Sequence, residues 1–220
     1  MHVVIINGSP RVQKYSNTDK IITAFTKGMC EDGSDYELYS ISDKNQWAGA
    51  KAAFENPENT QILIALPLFV ECIPGLLLEF LETISPKSEG NTTLSFILQS
   101  GFAEGIQLRC GEAFLEKLPE KLGCIYGGTL VKGDNFAIRL FDENMYQKIT
   151  TPYIQMGRVF AREHGFMNEE SRAFTGPEVF SKRTQFFLGI MQKFGKKMFK
   201  MKAKEVFDCD IPLDYKPIQE

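Results

Sequence analysis

Asn7-Gly8-Ser9-Pro10-Arg11, closing at Ser16-Asn17-Thr18, is the stretch on which the reading of this chain turns. It follows an apolar run, His2 to Ile6, that reads as a short buried strand. It precedes Ile21, Ile22, Phe25 and Met29, apolar positions at helical spacing. Strand, glycine-containing polar loop, helix is the order in which α/β proteins build anion sites. Gly8 lets the chain turn tightly and approach a ligand. Ser9, Ser16 and Thr18 offer hydroxyls, Asn17 an amide, and Arg11 a guanidinium suited to phosphate oxygens. The helix start adds free N–H groups and the positive end of its dipole. The same letters also describe an ordinary loop with a Ser/Asn helix cap. The stretch is neither G-x-x-x-x-G-K-[ST] nor G-x-G-x-x-G, so it indicates neither an NTPase P-loop nor a dinucleotide fingerprint.

Outward from this loop, apolar runs alternate with helical patterns as far as about Lys132. Strands are expected at His2–Ile6, Asp35–Ile41, Gln61–Leu66, Thr92–Gln99 and Cys124–Val131, and helices at about Asn17–Glu31, Asn45–Glu55, Pro74–Ile84 and Glu104–Leu122. Alternation of this kind indicates βαβ units and a parallel sheet. The first, third and fourth strands carry little polar content, as expected when both faces are covered. The fold class is therefore α/β: a flavodoxin-like, doubly wound, five-stranded parallel sheet of order 2-1-3-4-5. Residues 1–132 form its core, and residues 133–220 read as a C-terminal helical extension of the same domain. Within that extension Phe136–Phe141 reads as extended, Glu143–His164 as helical with Pro152 as a kink or a new start, and Pro177–Val206 as a long helix.

Composition narrows the function. The net charge is -3 over 220 residues, which argues against a general nucleic-acid binder. Cys30, Cys72, Cys110, Cys124 and Cys209 stand far apart with no C-x-x-C pair. Such scattered thiols suit a reduced, cytoplasmic protein and form no metal-ligand pattern. No uncharged apolar run approaches about 18 residues, so no transmembrane segment is expected.

In this type of sheet, ligands bind beyond the carboxyl ends of the strands. Three loops should meet there: Ser9–Thr18, Pro67–Gly75 and Ser100–Gly105. The second mixes apolar side chains with backbone that the sheet cannot fully pair, which suits a flat aromatic ligand with a polar rim. Phe69 and Phe102, each taken singly, read as packing under a loop. Cys72 reads as a buried, inert thiol.

Three motifs in order carry a family resemblance: Gly8-Ser9-Pro10-Arg11 with Asn17-Thr18, Pro67-Leu68-Phe69 with Pro74-Gly75, and Ser100-Gly101-Phe102-Ala103-Glu104. Across residues 1–132 the sequence resembles the NAD(P)H-dependent FMN reductase-like family of flavodoxin-like oxidoreductases, and within it the multimeric flavodoxin and iron–sulfur flavoprotein branch. The resemblance implies FMN as cofactor and NAD(P)H as co-substrate. Ser9, Arg11, Ser16, Asn17 and Thr18 would hold the phosphate. Pro67, Leu68, Phe69 and Val70 would line the isoalloxazine ring, and Ser100, Gly101, Phe102 and Glu104 would close over its other edge. Phe69 stands where the family usually has tyrosine, and Ser42 to Ala53 lacks the branch's cysteine cluster.

The activity so implied passes electrons from a nicotinamide through FMN to a quinone, a flavin or another acceptor, with no catalytic side chain required. Two other readings stand beside it: an FMN electron carrier that does not oxidise nicotinamide, and a flavin-free interaction module of the same fold. The apolar helix expected at Pro74–Ile84 and an apolar C-terminal face suggest a homo-oligomer, a dimer above all. Ser181 to Lys204 is basic with no acidic residue. Its Phe187, Met191, Phe194, Met198 and Met201 fall on one helical face, expected to pack on the protein, with a basic stripe that could meet an anionic partner or membrane.

Overall fold

Strand β1 (His2–Asn7) is an interior strand of the sheet, as its apolar side chains on both faces require. Val3 and Ile5 point to one core, and Val4 and Ile6 to the other. A computed structural model of the chain describes residues 1–31, 33–88, 90–139 and 143–188. Strands β2 (Asp35–Ser40), β3 (Gln61–Pro67), β4 (Thr93–Gln99) and β5 (Ile125–Lys132) complete one parallel sheet in the order β2-β1-β3-β4-β5. This is the expected order. The strand sequence reverses direction between β1 and β3, and that switch point opens the crevice where ligands sit in such sheets.

Helices α2 (Trp47–Glu55), α3 (Gly75–Leu81) and α4 (Arg109–Lys121) cover one face, together with Ile62, Ile64, Leu66, Phe96 and Leu98. Helices α1 (Asn17–Cys30) and α5 (Glu143–Glu163) cover the other, over Leu63, Ala65 and Ile97. Helix α1 starts where Ser16 Oγ accepts the Asp19 N–H at 3.1 Å. Asp19 in its first turn and Lys27 in its last suit the helix dipole. Phe25 of α1 meets Phe160 of α5 edge to face at 5.5 Å between ring centroids. Each fully buried ring of this kind contributes about 1.5–3 kcal/mol. The two helices touch backbone to backbone at Gly28 and Gly157: a Cβ on Gly28 would fall on the Ile154 carbonyl, and one on Gly157 on the Phe25 carbonyl.

Several local expectations change. Helix α3 spans only Gly75–Leu81, shorter than expected, with Leu77, Phe80 and Leu81 buried and Leu78 exposed, so part of its apolar surface faces outward. The expected helix from Glu104 begins as a short 3-10 turn, Gly105–Leu108, ahead of α4. Phe136–Arg139 is a 3-10 turn rather than an extended piece. Helix α5 runs continuously through Pro152. A short helix beyond the expected elements, α6 (Glu169–Phe174), follows it. Residues 182–188 are helical, with Phe186, Phe187 and Leu188 exposed, so Phe187 does not pack on the protein as expected. The rest of the anticipated basic helix, from residue 189 on, lies outside the described residues. Among the described residues no helix is long and apolar enough to cross a membrane.

Candidate functional site

At the carboxyl end of β1 the chain turns within its own hydrogen bonds. Asn7 Oδ1 accepts the Ser9 N–H at 3.1 Å, and Ser9 Oγ accepts the Arg11 N–H at 3.3 Å. The Gly8 N–H donates to the Ala65 carbonyl at 2.7 Å. A Cβ at Gly8 would lie 2.9 Å from Leu77 Cδ2 and 3.3 Å from that carbonyl, so only glycine threads between β3 and α3 without displacing something. Residues Gln13–Tyr15 make a 3-10 turn, and Ser16 then caps α1. With the Asp19 N–H taken by Ser16, the N–H groups of Asn17 and Thr18 are left at positions that no intrahelical carbonyl serves. Burial raises the Asp19 pKa, against the lowering effects of a Gln13 side-chain bond and of Lys20.

The loop after β3 extends the sheet by one bond, Leu68 N–H to the Gln99 carbonyl at 2.7 Å, and then folds on itself. Phe69 and Cys72 exchange both backbone bonds, at 3.1 and 3.0 Å. Between them Val70 (φ 48°) and Glu71 (φ 65°) are left-handed. That is the geometry of a two-residue hairpin turn, which usually takes Asn-Gly or Gly-Gly. A β-branched residue there is an outlier that local contacts must hold in place. Val70 is 77% exposed at the tip. Cys72 is exposed, not buried as expected, and Cys110 Sγ donates to the Glu71 carbonyl at 3.4 Å. The Arg11 guanidinium stands over the Phe69 ring, 5.7 Å from its centroid.

After β4, Ser100 Oγ accepts the Phe102 N–H at 3.1 Å and closes a tight turn. A Cβ at Gly101 would stand 3.3 Å from Phe136 Cβ, which brings the loop after β5 against this one.

These loops enclose a cavity of about 420 Å³ lined by Ser9, Arg11, Asn17, Thr18, Pro67, Leu68, Phe69, Val70, Gln99, Ser100, Gly101, Phe102 and Phe136. Ser16 and Glu104, expected among the ligand-facing residues, stand outside its lining. Ser16 is spent on the helix cap. Glu104 instead accepts the Phe180 N–H at 2.6 Å, while the Gly105 and Ile106 N–H groups bond the carbonyls of Pro177 and Glu178. Arg109 secures that strap through an ion pair to Glu178, and its hydrogen bond holds the Glu178 carboxyl below its ordinary pKa. Gln99 and Phe136 are additions. Gln99 Nε2 donates to Thr18 Oγ1 at 3.2 Å, joining the end of β4 to the start of α1. A polar residue closing the apolar run Phe96–Leu98 is the available signal for it. Phe136 sat in a segment that read as extended and gave no such signal.

The cavity has two unlike ends. One offers hydroxyls, the Gln99 amide and the start of a helix, and suits an anion. The other offers Phe69, Val70, Phe102 and Phe136, and suits a flat apolar ring. Among the described residues no group of three or more His, Cys, Asp or Glu side chains could hold a metal ion.

The sequence matches no protein-family model, and no curated protein matches it. Solved structures do resemble it. An FMN-dependent NADH-azoreductase from Bacillus anthracis, in complex with FMN, aligns with a TM-score of 0.55 at 14% identity over 74% of this chain and 99% of its own. General stress protein 14 from Treponema denticola, also in complex with FMN, aligns with a TM-score of 0.52 at 10% identity over 73% and 97%. The apo form of an NADH:FMN oxidoreductase aligns with a TM-score of 0.50 at 15% identity over 78% and 93%. At these identities the likeness is one of fold: the chain has the flavodoxin-like α/β architecture of these three proteins.

Proposed function

We propose that this protein is an FMN-dependent NAD(P)H oxidoreductase that passes electrons from a nicotinamide to a quinone, a flavin or another flat acceptor. The observation that carries this reading is the cavity at the β1/β3 switch point, with a helix start at one end and exposed aromatic rings at the other. Its volume falls in the ordinary range for cofactor sites. One anion-sized helix start and the lack of a dinucleotide glycine pattern favour a mononucleotide over a dinucleotide. The FMN-bound azoreductase and general stress protein, both alike in fold, support the same choice.

On this reading Ser9, Asn17 and Thr18 hold the phosphate, with Arg11 as the nearby cation. Leu68, Phe69 and Val70 flank the ring system from one side, and Ser100, Gly101, Phe102 and Phe136 from the other. Bound there, FMN supplies the two-electron redox chemistry. The protein's part is to bind, orient and exclude water, and no side chain needs to move a proton. Phe69 packs without offering a hydroxyl. The exposed rim leaves one side of the cavity open to a nicotinamide and then to an acceptor. The test is the visible spectrum of the purified full chain incubated with FMN and desalted. A retained, stoichiometric flavin band supports the assignment, and a colourless protein counts against it.

We further propose that the extension, as far as it is described, to residue 188, belongs to the same folding unit as residues 1–132; residues 189–220 lie outside the described residues. Tyr153, Val159 and Phe160 of α5 lie in the same core as β1 and β3, which supports this. A cytoplasmic, homodimeric protein fits the remaining features. Exposed free thiols at Cys30, Cys72 and Cys110 suit a reducing compartment. Away from the rim, exposed Leu78 of α3 and Phe186, Phe187 and Leu188 are the kind of apolar surface a second copy covers. Sedimentation showing a monomer at micromolar concentration would count against the dimer.

A further inference from the structure

The loop that leaves β5 returns to the cavity through a residue with no place in its lining. Asn135 is 1% exposed. Its Nδ2 donates to the carbonyls of Lys132 at 2.9 Å and Gly133 at 3.1 Å, so its side chain closes its own turn. Its Oδ1 accepts the Tyr153 hydroxyl, 3.0 Å away on α5. Its N–H donates to the Ser100 carbonyl at 3.0 Å. Its own carbonyl accepts the Asn17 Nδ2 at 2.8 Å. One buried amide thereby joins the ends of β4 and β5, the middle of α5 and the first residue of α1. Each of its polar atoms is used, so no rotation of the side chain improves the set. Tyr153 is fully buried, with its ring edge to face against Phe174 at 5.1 Å, so its hydroxyl is aimed from a fixed place.

The last bond matters most for the cavity. Asn17 stands at the anion end, and its amide is pinned from behind by the Asn135 carbonyl. A pinned residue presents its remaining donors without being ordered at the moment of binding, which lowers the cost of association. We propose that Asn135, oriented by Tyr153, is a positioning residue for the phosphate end of the cavity, acting through Asn17. This rests on the reading that FMN fills the cavity. It goes beyond that reading in assigning phosphate affinity to a residue that does not touch the ligand.

A residue that merely stabilised the fold would affect all ligands alike. The discriminating probe is therefore riboflavin, which has the ring and lacks the phosphate. Dissociation constants for FMN and riboflavin would be measured by fluorescence quenching with the full chain, with Asn135→Ala, and with the milder Tyr153→Phe. The milder change removes one hydroxyl and keeps the packing, so it carries the test if Asn135→Ala does not fold. Leu115→Ala, in α4 on the opposite face of the sheet, serves as a core-destabilised control. The expected result is a rise of about tenfold in the FMN constant for Asn135→Ala and about threefold for Tyr153→Phe, with riboflavin changed less than about twofold. Leu115→Ala should leave the FMN-to-riboflavin ratio at the wild-type value. In an Asn17→Ala background, Asn135→Ala should weaken FMN little further, because Asn135 acts through Asn17. A wild-type ratio retained in both test variants would overturn the inference while leaving the site assignment intact. Equal binding of FMN and riboflavin by the unaltered protein would overturn the reading of the phosphate end, and the inference with it.

Discussion

The anion end of the cavity is built from buried polar groups, whereas the ring end is built from exposed apolar ones. Ser9, Thr18 and Gln99 are all buried, and each is tied to another element or to its own turn. Phe69, Val70, Phe102 and Phe136 are all exposed. Their backbones are held by hairpin and loop bonds, while the side chains stand at the open rim of the cavity. The difference follows from what each end must do. Recognition of a phosphate needs donors fixed in advance, because loose donors lose in ordering entropy what they gain in hydrogen bonding. A flat ring needs only surface, and a rim that admits a second flat molecule has to stay open.

This contrast predicts unequal responses to substitution. The largest belongs at the anion end. Gly8→Val places atoms against Leu77 and the Ala65 carbonyl, where an added Cβ alone is already too close. It should cost about 2–3 kcal/mol of stability in urea unfolding, by overpacking, and should abolish retention of FMN through desalting. Next comes Thr18→Val, which keeps the shape but removes a hydroxyl from the anion end and strands the Gln99 amide. An FMN affinity loss of about 2 kcal/mol, roughly thirtyfold, is expected by titration. If Thr18→Val were silent while rim substitutions were costly, the assignment of the two ends would be reversed.

At the ring end the effects are smaller. Phe102→Ala removes an exposed ring and should weaken FMN by only about 0.5–1 kcal/mol. The larger part of its effect should appear in the KM for the acceptor, measured at saturating nicotinamide. Smallest is Val70→Gly, at φ 48°. Relief of left-handed strain slightly outweighs the added chain entropy of glycine. The expected net gain of about 0.5 kcal/mol is a rise of about 1–2 °C in Tm. A fall in Tm would mean that the hairpin is held by the Val70 side chain itself.

The parts of the molecule that could be read from the sequence are those whose cause is local. β1, β3 and β4 announce themselves because covered faces demand apolar side chains at most positions, and the sheet order follows from the βαβ alternation. The loops after β1, β3 and β4 follow from their glycines, prolines and polar clusters. Features fixed by distant contacts could not be read in the same way. Glu104 lies in a motif that resembles a cofactor loop, but its carboxylate is claimed by the Phe180 N–H, far along the chain. Val70-Glu71 carries none of the usual hairpin residues, so the turn that exposes Cys72 left no trace. Asn135 reads as one polar letter in a Lys-Gly-Asp-Asn turn, and only the fold reveals its bonds to Asn17 and Tyr153. Phe136–Arg139 has the composition of a strand and becomes a 3-10 turn where Phe136 settles against Gly101.

The central claim is that this cavity binds FMN and lets a nicotinamide reduce it. The most direct test is anaerobic mixing of the FMN-loaded, desalted full chain with NADH and, separately, with NADPH, followed by absorbance in the flavin band. The account predicts that at least one of the two bleaches the bound flavin far faster than it bleaches free FMN, and that admitting an acceptor restores the colour. A protein that retains FMN but bleaches no faster than the free flavin with either nicotinamide would contradict the oxidoreductase assignment and leave an electron carrier in its place.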